Sequence, residues 1–232
     1  MDNIKKQYKY YDVVMAAFVT MLLCTNLIGA SKVTTVLGYE FGAGTLFFPI
    51  SYIFGDILTE VYGYAGSRKV IWVGFAAMIF ASAMSYVIIS MPPAPDWHDQ
   101  KAFETVFGTT IRITIGSLIA FWVGEFMNSY VLAKIKIKSA GKGLWFRLIA
   151  STTVGQAVDT AIFYPIAFYG IWETKLLFTV MYHDYFLKII WEILATPFTY
   201  SIINFLKKAE NEDYYDVHTN FNPFSTDVKK TN

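Results

Sequence analysis

Cysteine is almost missing: Cys24 is the only one in 232 residues, which excludes an internal disulfide and any cysteine-based metal cluster. Histidine is scarce too. His98, His183 and His218 lie far apart in polar stretches without ligand spacing, so no metal centre is expected. Charged side chains make up only 16% of the chain and sum to +1; without a global field to attract a polyanion, nucleic acid is not an expected partner. No GxxxxGK[ST] loop occurs, so the chain has no phosphate cradle of its own for ATP. It also lacks a heptad array, a separate soluble domain and any cofactor motif.

What abounds is apolar. Hydrophobic residues reach 55%, aromatics 18%, and the mean hydropathy is +0.40, the composition of a polytopic membrane protein. A bilayer core roughly 30 Å thick takes about 20 residues of helix, because lipid cannot satisfy open backbone groups. Six segments meet that requirement: residues 12–29, 45–62, 69–91, 111–133, 145–172 and 185–205. The expected fold is therefore an all-α integral membrane protein with six transmembrane helices over residues 1–208, followed by a cytoplasmic polar tail over 209–232. The fifth span is long and contains Pro165, which predicts tilt, a kink or an interfacial end. Pro92-Pro93-Ala94-Pro95 stops helix and opens an outer loop in which residues 97–107 could form a short interfacial helix. The tail, acidic and then Asn-rich, reads as solvated or disordered.

Lysine and arginine set the orientation, since short cytoplasmic loops retain positive charge. With the N-terminus inside, Lys5, Lys6, Lys9, Arg68, Lys69, Lys134, Lys136, Lys138, Lys142, Arg147, Lys207 and Lys208 fall on the cytoplasmic side. Only Lys32, Lys101, Arg112 and Lys175 fall on the other, so both termini are expected in the cytoplasm. Tyr10, Tyr11, Trp72, Trp145 and Trp172 suit the interfacial belt. The basic flank and apolar run ending at Ala30-Ser31 also have the outline of a cleaved leader, but a retained span is preferred.

Several acids interrupt the spans. Asp56 and Glu60, Glu125, Asp159 and Glu192 each oppose insertion by about 2.5–3.5 kcal/mol at a helix centre, so they must face a polar interior or one another. Asn26, Asn128 and Gln156 accompany them. Residues three or four apart share a helix face, and Asp56/Glu60, Glu125/Asn128 and Gln156/Asp159 have that spacing. Segments 124–129 and 155–160 both read G-[EQ]-x-x-[ND]-[ST], each with a small residue four positions upstream, at Ala120 and Ser151, a spacing that permits close helix contact. Either these groups satisfy one another as interhelical glue, or they line a cavity. A carboxylate accepting two N–H bonds beside an amide that can donate and accept matches a guanine-like edge. Phe48, Tyr52, Phe121 and Trp122 are candidate aromatic walls. Lys188 and Glu192, four apart, read as an intrahelical pair or as a gating or ligand group, and Arg112 as a snorkelling end residue.

The stretch 48–63, FPISYIFGDILTEVYG, with 116–129, GSLIAFWVGEFMNS, and 151–160, STTVGQAVDT, resembles the queuosine precursor transporter family, once grouped among vitamin uptake transporters. The resemblance implies a bundle akin to the substrate-binding components of energy-coupling-factor importers. It implies a place in a bacterial inner membrane and a purine-like small-molecule cargo: 7-cyano-7-deazaguanine, 7-aminomethyl-7-deazaguanine or queuine. It carries Asp56, Glu60, Glu125, Asn128, Gln156 and Asp159 into the binding site, where a spare carboxylate such as Asp56 or Glu60 would receive an aminomethyl cation. It needs no cofactor and leaves a homodimer open, and the tail takes no part in transport. Two other readings stand beside it: a binding component requiring separate ATPase and scaffold subunits, and an intramembrane acid–base enzyme. The latter lacks a nucleophile, a metal cluster and a cofactor motif.

Overall fold

A computed structural model describes residues 7–28, 33–36, 39–108 and 111–225. The chain forms α1 (Tyr11–Ile28), an antiparallel hairpin of β1 (Val33–Val36) and β2 (Tyr39–Gly42), a 3-10 turn (Ala43–Leu46), and then α2 (Phe48–Ser90), α3 (Gln100–Phe107), α4 (Ile111–Lys138), α5 (Leu144–Phe168) and α6 (Thr174–Glu210). The hairpin, with Val33 opposite Gly42, has no counterpart in the sequence expectations. The stretches Ala43–Ser90, Gln100–Lys138 and Thr174–Glu210 contain helix long and apolar enough to cross a membrane, and α1 is apolar but shorter. The protein is thus a helical membrane protein. Gly29, Ala30, Ser31, Lys32, Lys5 and Lys6 lie outside the described residues, and with them the leader-like junction and part of the charge asymmetry.

The expected second and third spans both fall within α2, and Gly63 divides them. Its φ of 78° and ψ of 170° belong to a region that essentially only glycine adopts. On either side the chain runs in opposite directions along α4. In the first limb, residues 48–62, Gly55 faces Glu125 and the Glu60 carbonyl accepts from the Lys136 ammonium. In the second, residues 64–90, Gly74 faces Phe121 while Ser67 meets Ser129. The Ser129 hydroxyl ties the limbs together, 3.0 Å from Thr59 and 2.9 Å from Ser67.

One apolar core runs through the bundle: Phe18 and Leu22 of α1, Ile57, Leu58 and Val70 of the two limbs, Phe121 and Leu132 of α4, Leu148 of α5 and Ile203 of α6. Lipid tails are as apolar as these side chains, so association rests on close packing and buried polar contacts rather than on escape from water. The amphipathic α3, with Phe103 against Trp97, occupies the place expected for an interfacial helix. Helix α5 ends at Phe168, short of the expected 172, because Gly170 at φ 79° turns the chain and stacks Trp172 on Phe168 at 3.9 Å. Helix α6 runs well beyond 185–205 at both ends.

The tail also departs from expectation. Residues 211–225 lie against the bundle. The carboxylate of Asp216, 1% exposed, accepts from the Tyr64 amide at 3.0 and 3.1 Å and so caps the N-terminus of the second limb. Arg68 donates to the carbonyls of Asn220 and Asn222, and Trp72 Nε1 to that of Pro223, each at 2.9 Å. Polar composition concealed this docking because the matched groups are mostly backbone carbonyls. At the same end Tyr8 donates to Glu212, and the amides of Lys9 and Tyr10 donate to Glu210. The described N-terminal and C-terminal segments therefore meet.

Gly63→Ala is expected to lower stability by about 1–3 kcal/mol for backbone conformation alone, and further because its Cβ would collide with the Tyr214 ring. Gly143, at φ 68° with open space around it, is the control, and Gly143→Ala should cost about 1–2 kcal/mol. Thermal unfolding in detergent measures both; equal losses would contradict the reversal at Gly63. In the same assay Asp216→Ala should cost about 0.5–2 kcal/mol, the range for a lost N-cap.

Candidate functional site

The repeated motif explains how α4 and α5 meet. A Cβ placed on Gly124 would lie 3.2 Å from the Gly155 carbonyl oxygen, and one on Gly155 would lie 3.0 Å from that of Gly124. The contact is reciprocal, so the two copies of G-[EQ]-x-x-[ND]-[ST] are related by a local pseudo-twofold. Only glycine at both positions permits this approach. Each helix then presents its second polar residue to the other's glycine: Asp159 Cβ is 3.1 Å from the Gly124 position, and Asn128 Cβ 2.8 Å from that of Gly155. Tyr52 of the first limb lies over the crossing, its hydroxyl 2.6 Å from the Gly124 position and its ring 3.1 Å from that of Gly155. Glu125 packs against Gly55, one oxygen 2.5 Å from where a Cβ would stand.

Around this crossing the acids divide by how they are matched. Asp56 accepts from Asn128 Nδ2 at 2.8 Å and from the Thr152 hydroxyl at 3.4 Å. Asp159 pairs with Lys188 at 3.3 Å, and Lys188 pairs also with Asp184 at 2.9 Å. Glu125 and Glu192 differ: neither oxygen of either carboxylate has a hydrogen-bond partner among the described residues. The same holds for both amide atoms of Gln156, Asn128 Oδ1, the Tyr52 hydroxyl and Thr160 Oγ1. All of these side chains are buried. The charges of Asp56, Glu125 and Asp159 all act on Tyr52, and that of Glu192 on Asp56 and Glu125, which makes them one cluster. A buried polar group without a partner costs about 1–3 kcal/mol, and a charged one more. Such a concentration of them makes the crossing the candidate site for a hydrogen-bonding guest.

Of the residues expected at the site, the structure gathers Tyr52, Asp56, Glu125, Asn128 and Asp159, with Gln156 as the pseudo-symmetric counterpart of Glu125. Glu60 belongs elsewhere. Arg147 holds it with two bonds at 2.9 and 2.7 Å, Lys207 donates at 2.5 Å and Lys136 stands 3.4 Å away. Lys136 and Lys207 continue to Asp213 at 2.6 and 2.8 Å. Burial opposes ionisation of Asp213, but hydrogen bonds from both lysines outweigh it and hold the carboxyl below the usual range. One helical turn along the axis is about 5.4 Å, enough to place Asp56 in the acid cluster and Glu60 in this basic knot. Neither is the spare carboxylate anticipated for an aminomethyl cation.

Trp122 also faces away. With Phe126 and Tyr130 it forms a stripe at four-residue spacing, packed on Trp72, on Phe221 and on Phe224. Phe121 sits in the core against Phe18, and Phe48 stands beside Tyr52 and under the Lys188 ammonium. Asn26 links α1 to Ser117 of α4. Arg112 donates to the Ile166 and Tyr169 carbonyls at the end of α5. Lys188 is four residues from both Asp184 and Glu192, so spacing alone could not choose its partner; Asp159 on α5 decides for Asp184 and leaves Glu192 unpaired. A groove of about 430 Å³ opens between α5 and α6, lined by Ala157, Thr160, Ala161, Phe178, Met181, Tyr182 and Tyr185, and none of the acids lines it.

Residues 42–202 match the family profile described as “Putative vitamin uptake transporter”. The chain is 30% identical over 180 residues to a “Probable queuosine precursor transporter” of Bacillus subtilis (strain 168), covering 77% of this chain and 78% of the relative. It is 28% identical to the “Queuosine precursor transporter” of Escherichia coli (strain K12), over 58% of each chain. With a “Probable queuosine precursor transporter” of Haemophilus influenzae the identity is 29%, over 54% of this chain and 51% of the relative. No solved structure matches the chain.

Glu60 of the first limb and Glu125 of α4, both buried, should respond differently to loss of charge. Glu60→Gln strips the partner from a buried cation cluster and is expected to cost about 3–5 kcal/mol, read as a fall in melting temperature in detergent. Glu125→Gln removes a carboxylate that no described residue matches by a hydrogen bond, and should leave melting unchanged or raise it.

Proposed function

Since the chain belongs to the queuosine precursor transporter family, within the vitamin uptake transporter profile, we propose that it carries queuosine precursors across a bacterial inner membrane as 7-deazaguanine bases. The observation that supports this reading is the set of unmatched, buried hydrogen-bonding atoms at the α4–α5 crossing. The Glu125 carboxylate offers acceptors for the ring N–H and the exocyclic amine of a guanine-like edge. The Gln156 amide can donate to the adjacent ring carbonyl. Asn128, fixed by its bond to Asp56, keeps its own carbonyl oxygen for a remaining N–H.

Transport follows if the cluster opens to one side at a time. A pseudo-twofold between two helices, with the site at their interface, is the arrangement from which alternating access arises by rocking one half against the other. In this reading the basic end, where the described N-terminal and C-terminal segments meet, faces the cytoplasm in accordance with the positive-inside rule, and the protein performs no chemistry on its cargo.

Binding of 7-cyano-7-deazaguanine to the purified protein, followed by titration calorimetry, is expected to weaken by about tenfold or more in Glu125→Gln, the range for a hydrogen bond to a charged group. Unaltered binding in that variant would remove edge reading by this carboxylate. Proteoliposomes holding this chain alone should accumulate the unmodified base. Uptake that appears only with ATPase and scaffold subunits would identify a binding component, and recovery of an altered base would identify an enzyme.

A further inference from the structure

The cluster holds one carboxylate more than a guanine-like edge can use. Asp56 is occupied by Asn128 and Thr152, and Asp159 by Lys188. The edge takes Glu125. Glu192 is left, contributed by α6, 1% exposed, with both oxygens unpartnered among the described residues. Lys188 lies one turn earlier on the same helix, where it could neutralise Glu192, but it is drawn to Asp184 and Asp159.

We propose that Glu192 is a specificity-determining residue: it is the counter-ion for a positively charged substituent on the guest, so the site prefers a 7-deazaguanine bearing a protonated amine at position 7 over an uncharged one. The inference rests on the function proposed above and adds the charge of the cargo to it. A neutral base satisfies Glu125 and leaves a second carboxylate buried without a partner, among Asp56 and Glu125, whose charges it already opposes. An ammonium matches it with a charge-assisted bond and lowers the negative charge of the whole cluster. In a guanine-like ring the substituent at position 7 projects from the five-membered ring, away from the N–H edge. The group that reads the edge and the group that meets the amine must therefore be different carboxylates, and they come here from different helices, α4 and α6.

The test compares three ligands of similar size on the intact protein: 7-aminomethyl-7-deazaguanine, its neutral isostere 7-hydroxymethyl-7-deazaguanine, and 7-cyano-7-deazaguanine. Wild-type protein should bind the aminomethyl base about tenfold or more tightly than the hydroxymethyl base, as expected for one charge-assisted contact. Glu192→Gln should abolish that preference, bringing the ratio of aminomethyl to hydroxymethyl affinity near one, and Glu192→Asp, which keeps the charge, should retain it. A wild-type ratio near one overturns the proposal without any variant. So does a Glu192→Gln protein that keeps the preference, or one that loses all three ligands alike, the mark of a structural role. Wild-type protein that binds none of the three overturns the parent reading as well, whereas binding without charge preference leaves the transporter reading standing.

Discussion

A carboxylate inside a bilayer must be matched by a cation or by donors, and the arrangement of α2, α4, α5 and α6 follows from how each one is matched. Glu60 draws Arg147, Lys136 and Lys207 around itself, so that helices distant in sequence are fastened at one end of the bundle. Asp159 binds α5 to α6 through Lys188. Asp56 joins the first limb to α4 and α5 through Asn128 and Thr152. Glu125 and Glu192 remain after these pairings, without a hydrogen-bond partner among the described residues. The same rule that assembles the scaffold also leaves over the groups that the proposed cargo would engage.

Small residues make the pairings reachable. Gly124 and Gly155 bring two backbones into contact, and Gly55 makes room for the Glu125 side chain against the first limb. Gly63 reverses the chain without a loop, which lets both limbs of one continuous helical stretch line the same neighbour. Water cannot supply the driving force for association in lipid, so these close approaches, together with buried polar bonds, hold the bundle together.

Much of this was legible in the sequence. The acids in the apolar spans, the three-residue spacing of Gln156 and Asp159, and the repeated glycine motif pointed to the crossing and to most of its polar groups. Residue-level roles within α2 were less accessible, because Asp56 and Glu60 are four residues apart and only the other helices separate an acid at the α4–α5 crossing from one in the basic knot. Trp122 lies close in sequence to Glu125, yet a four-residue stripe with Phe126 and Tyr130 turns it toward the second limb. The sequence offered Lys188 a pair with Glu192, whereas in the fold Lys188 pairs with Asp184 and with Asp159 of α5. Docking of the tail left almost no compositional trace, since Arg68 and Trp72 bind its backbone rather than its side chains.

That docking bears on the order in which the molecule is completed. The second limb leaves the ribosome long before Asp216, so the amide of Tyr64 has no cap during synthesis of the four helices that follow. Lys207 reaches Glu60 equally late, after most of the chain has entered the membrane. The end of the bundle where the described N-terminal and C-terminal segments meet therefore closes only after Lys207 and Asp216 have been synthesised, and a chain truncated before them would leave that end open.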